Sequence, residues 1–222
     1  MQKAKEENVK EQVNNIQTYN EYADIVQTYE DIAKKRIVDP SLIFEWNTWR
    51  AFIMLDDGEI LGNFKVDLQG MPLINAPGNK PDIVCEYKNY NIIVEVTIAS
   101  GQKQYEMEGE SVARHLGLHQ KEKNKETYCI FITPSLSGAT LAHFYTLHKT
   151  NISFYGGKSK IVPMEVKDFN KILFSAFKAG NKPSSSDIYN FVSEATKSVH
   201  TTKDEIEWYG EITKLANNWL NS

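Results

Sequence analysis

The stretch Pro81–Thr97 constrains this chain most. Two apolar runs, Ile83-Val84-Cys85 and Ile92-Ile93-Val94-Glu95-Val96-Thr97, flank the polar turn Lys88-Asn89-Tyr90-Asn91. Short, largely β-branched runs around such a turn predict a hairpin. Asp82 stands where the first strand begins, and Glu95 near the end of the second. A carboxylate in so apolar a strand is costly to bury unless it is paired or holds a metal. Two readings are open on this stretch alone. Either it is a solvated edge hairpin with two surface acids, or Asp82 and Glu95 converge on a divalent cation.

The order Pro81-Asp82, hairpin, Glu95-Val96-Thr97 resembles the PD-(D/E)xK nuclease active site, with Thr97 in the lysine slot. The following segment, Gln104-Tyr105-Glu106-Met107-Glu108-Gly109-Glu110 through Arg114-His115-Leu116-Gly117, is more specific. Together they resemble the cleavage domain of type IIS restriction and nicking endonucleases of the AlwI kind. That group includes heterodimeric nicking enzymes whose small subunit is little more than a cleavage domain. The likeness is best over 43–133.

The resemblance implies a Mg²⁺-dependent endonuclease, with Mn²⁺ as a substitute, cutting double-stranded DNA. Asp82, Glu95 and the backbone carbonyl of Val96 would be metal ligands. Magnesium keeps several waters and needs few protein ligands, so this set suffices. Glu45, on an otherwise apolar helical run, reads by itself as an exposed helical acid; the family places a glutamate there as a further metal-site acid. Threonine cannot replace a lysine cation beside the attacking water. His115 is the first substitute, since histidine moves protons near neutral pH, and Lys103 the second. Glu106, Glu108 and Glu110 read mostly as first-turn helix acids, with Glu106 or Glu110 reaching the site. His119, four residues beyond His115, is a weak imitation of a zinc motif.

Composition bears on partners. The 222 residues carry 29 acids against 25 bases, a net charge of −4. A free-standing DNA-binding protein usually shows a basic face. The balance therefore suggests a catalytic subunit or domain brought to DNA by a recognition subunit or domain. No zinc finger, basic recognition helix or aromatic single-strand platform is evident. A repair or structure-specific nuclease, or an inactive nuclease-like scaffold, are the alternatives. Cys85 and Cys129 lie in apolar runs, which favours buried thiols in a reducing cytoplasm. No apolar run reaches membrane-spanning length, and the polar start lacks a secretory core.

Apolar spacing from Lys5 to Arg36 predicts one or two amphipathic helices, packed on the domain rather than in a coiled coil. A helix over 41–55, ended by Asp56-Asp57-Gly58, precedes a strand over 60–66 and a loop over 70–80. After the hairpin come a helix (104–123), a strand (127–133), a helix (138–149), a strand (161–166) and a helix from Asp168. Lys182-Pro183-Ser184-Ser185-Ser186 reads as a linker to two final helices. The expected class is α/β: a restriction-endonuclease-like mixed central sheet flanked by helices. Within one domain, 1–40 would be an N-terminal helical segment, 41–180 the nuclease core and 181–222 added helices.

Overall fold

The computed structural model describes residues 2–55, 58–180 and 182–220. Two helices, α1 (Gln2–Gln17) and α2 (Tyr22–Ala33), lead into α3 (Pro40–Leu55). Strands β1 (Glu59–Gly62), β2 (Lys65–Val66) and β3 (Pro72–Ile74) precede the hairpin β4 (Ile83–Glu86) and β5 (Tyr90–Val96). Then follow α4 (Gly101–Lys123), β6 (Glu126–Thr133), α5 (Gly138–Lys149), β7 (Ile161–Glu165) and α6 (Val166–Ala179). Two further helices, α7 (Ser185–Ser198) and α8 (Glu205–Asn218), complete the order.

Five strands form one mixed sheet in the order β1-β4-β5-β6-β7. The hairpin partners and β1 are antiparallel, while β5, β6 and β7 run parallel. Parallel neighbours need crossovers, and α4 and α5 supply them. Right-handed crossovers put both helices on one face, where they pack together against β6 and β7. On the other face α3 meets β1, β5 and α6. With both faces covered, Ile92, Ile93, Val94, Phe131 and Val162 are wholly buried.

Helix α3 is buried on nearly every side, with apolar residues all round it and four buried polar ones, Glu45, Asn47, Thr48 and Arg50, among them. Its polar groups find partners: Arg50 meets Glu21 at 2.7 Å and Asp24 at 2.6 Å, Asn47 donates to Ile25 O, and Tyr29 donates to Thr48. These bonds dock α2 on the core. The amphipathic pattern does not run through: Tyr19 takes a left-handed φ of 60°, and α2 restarts in a new phase. Ile25, Tyr29 and Ile32 are therefore buried, whereas Ala23 and Ala33 are exposed.

Three further expectations need correction. The strand over 60–66 splits in two: β1 ends at Gly62, past which Asn63 still bonds Asp82 O through its N–H and Pro81 O through its side chain. Beyond it, β2 pairs with β3, inside the segment read as loop. Ser185 and Ser186 belong to α7 rather than to a linker, since Ser184 and Asp187 form a reciprocal capping box. Asp56-Asp57, named as the end of α3, lies outside the described residues.

Candidate active site

The register of the hairpin fixes the first two groups. Ile83 pairs with Val94, so Asp82, one step before β4, stands opposite Glu95. Directly opposed residues in an antiparallel pair share a face. Both carboxylates line one cleft of about 680 Å³ at the carboxyl end of β5, with Val96, Thr97, His115 and Glu45. Sequence reading named all six, and the fold brings all six together.

Each group is held by identifiable contacts. Asp82 Oδ2 accepts from the Val96 N–H at 2.8 Å. Glu95 is 6 % exposed, and its Oε1 lies 2.8 Å from His115 Nδ1. The other imidazole nitrogen lies 3.3 Å from Gly78 O. Both ring nitrogens thus face acceptors, so His115 addresses Glu95 rather than the open cleft. Glu45 projects from the first turns of α3. Its Oε1 accepts from Asn75 Nδ2 at 2.6 Å and its Oε2 from the Ala76 N–H at 2.9 Å.

The electrostatics are those of an acid cluster short of counter-charge. Burial pushes the Asp82 carboxyl well above its usual range, and the charges of Glu95 and Glu45 push it further. Burial, then Glu108 and Glu45, raise Glu95 likewise. Glu45 is raised by burial, against the pull of its two hydrogen-bond donors. His115 is lowered, first by burial and then by Arg114.

One acid was missed. Glu108 lines the cleft, raised by burial and drawn back by the Thr97 hydroxyl. Glu106 and Glu110, the acids expected to reach in, stay exposed, beside Gln102 and Arg114 respectively. The rotation of α4 decides this, and Gln104 sets that rotation. Its wholly buried amide bonds Ala99 O, Thr133 and Ser135 O, and accepts from the Ser137 N–H. Positions 104, 108, 111 and 115 form one helical stripe, the signal that could have selected Glu108. Lys103 lines the cleft as well, and so does Lys80, which sequence reading passed over. Among the described residues neither ammonium has an ion-pair partner. His119 lies apart from the carboxylates, 3.4 Å from the Asn91 amide nitrogen.

Among the described residues no three His, Cys, Asp or Glu side chains are gathered closely enough to cage an ion by themselves. The donors facing the cleft are hard oxygens, few in number, with room for water and a phosphate. Such a set fits Mg²⁺ or Mn²⁺. A divalent cation would also relieve the mutual repulsion that raises these carboxyls.

No curated protein matches the sequence. Among solved structures, the chain is similar to the small subunit of the heterodimeric restriction endonuclease R.BspD6I. Identity is 28 % and the TM-score 0.73, over 86 % of this chain and 98 % of that one. The family model of the AlwI restriction endonuclease matches residues 1–172. Carboxylates paired across a hairpin, a mixed five-stranded sheet and this match agree: the chain belongs to the AlwI restriction endonuclease family.

Proposed function

We propose that this chain is the cleavage subunit or domain of a type IIS restriction or nicking endonuclease. It hydrolyses a phosphodiester bond of double-stranded DNA with Mg²⁺, and a partner subunit or domain supplies sequence specificity. The observation that carries the reading is the placement of Asp82 opposite Glu95, both facing one cleft and both raised by burial. The heterodimeric make-up of R.BspD6I supports the partner.

Asp82, Glu95 and the Val96 carbonyl would hold the cation, with Glu45 and Glu108 beside them, directly or through water. Bound there, it would lower the pKa of a water and offset charge developing on the phosphate. The protein's own groups do the rest. Val96 N–H fixes the Asp82 carboxylate. His115 aligns Glu95 and holds a proton between Nδ1 and Oε1. Lys103 and Lys80, on the rim, are the cations available to the scissile phosphate in place of the lysine absent at Thr97.

Plasmid nicking with the partner present tests this. Glu95→Ala should abolish cleavage while the circular dichroism spectrum stays native, and chelation should silence the unsubstituted protein. Cleavage at the normal rate by the variant, or in chelator, sinks the reading.

A further inference from the structure

Glu45 does not enter the cleft as a free arm. Both donors that hold it, Asn75 Nδ2 and Ala76 N–H, belong to the strap between β3 and Pro81. Two residues on, Gly78 O receives the far nitrogen of His115. One short strap therefore grips α3 through Glu45 and α4 through His115, both of which line the cleft. Of these three grips only that of Asn75 is made by a side chain of the strap. A carboxylate can only accept, so the amide nitrogen must face it. The same nitrogen lies 3.5 Å from Ser41 Oγ, the outer limit of a hydrogen bond, which also directs it at the start of α3.

We propose that Asn75 is a positioning residue for divalent-cation binding: it fixes the direction of the Glu45 carboxylate and so delivers this acid to the site of Asp82 and Glu95. The proposal rests on the reading of the cleft as a cation-dependent nuclease site. A glutamate at the start of a helix has three free torsions, and repulsion from two neighbouring carboxylates turns it towards solvent. The two strap bonds oppose that repulsion and remove the ordering cost before the cation arrives. Groups that hold ligating carboxylates in this way are typically worth about 10–100-fold in metal affinity.

The test is calorimetric titration of the full chain with Mn²⁺, in the unsubstituted protein, Asn75→Ala, Glu45→Gln and the double variant. Asn75→Ala should weaken Mn²⁺ binding about tenfold or more with the fold unchanged. In the Glu45→Gln background the same change should add nothing, because the arm it steers has lost its charge. Equal weakening in both backgrounds would make Asn75 a general support of the strap and overturn the proposal. Unchanged binding by Asn75→Ala would overturn it too. Failure of the underlying reading has a different signature: Mn²⁺ binding that is absent from the unsubstituted chain, or indifferent to Asp82→Asn and Glu95→Gln. Either result removes the cation site and the role of Asn75 with it.

Discussion

At the scale of single residues, the cleft sets function against stability. Asp82 and Glu95 have folded-state pKa values raised above their unfolded values near 3.8 and 4.5. Such groups stabilise fully below the unfolded pKa, and that contribution is lost as pH rises through the folded one. The cation-free protein should therefore lose stability from these two groups as pH rises from about 4. Asp82→Asn should raise its stability at pH 8 by on the order of 1 kcal/mol, read as a higher melting temperature, while abolishing cleavage. Added Mg²⁺ should narrow that gap by stabilising only the unsubstituted protein. Thermal melts of both proteins at pH 5 and 8 decide it; a variant less stable than its parent at pH 8 without metal contradicts the acid cluster. His115 belongs to the same balance but acts through Glu95. His115→Ala should slow cleavage at least tenfold and leave Mn²⁺ binding measurable. A smaller loss would pass the missing basic function to Lys103 or Lys80.

Among the elements, helix α4 governs the site, because its rotation selects which of three closely spaced glutamates faces the cleft. Gln104 holds that rotation through bonds to the ends of β5 and β6. Gln104→Leu should cost about 2–4 kcal/mol, since several buried polar groups lose their partner at once. Cleavage should fall by more than the unfolded fraction accounts for, as Glu108 and His115 share the displaced stripe. Urea midpoints beside rates on the same samples separate the two effects; a rate loss fully explained by unfolding would remove Gln104 from the site's support. The hairpin, the crossover helices and their strands were legible in the sequence because apolar period and turn chemistry agree there. That Asp82 and Glu95 share a face was one of two readings open on the hairpin, since a strand leaves a carboxylate only two directions, and the family resemblance favoured it. Glu108 was not legible, since three alternating acids on a helix look alike until a buried anchor fixes the phase. Asn75 was hidden too. Its partner Glu45 lies thirty residues away, and no local pattern joins a strap to a distant helix.

For the molecule as a whole, the fold class followed from the alternation of elements, and partnership is the next question. The sheet, helices and acid cleft account for most of the chain, and the likeness to the R.BspD6I small subunit spans 98 % of that protein. The net charge of −4 leaves little to neutralise phosphates. Non-specific DNA binding rests on counterion release and typically lies at about 10⁻⁴–10⁻⁶ M at physiological salt. An acidic chain with a carboxylate-lined cleft should sit at the weak end and depend on a cation for approach. The purified chain alone should therefore bind duplex DNA weakly, without sequence preference, and cut little. Joining it to a recognition partner raises the local concentration of the bond to be cut, so activity should appear on joint addition without any new catalytic group. The decisive measurement is digestion of a defined plasmid by this polypeptide with Mg²⁺, alone and with the partner. Discrete fragments from the chain alone at low concentration would show that it reads DNA itself, and would refute the division of labour inferred from its charge.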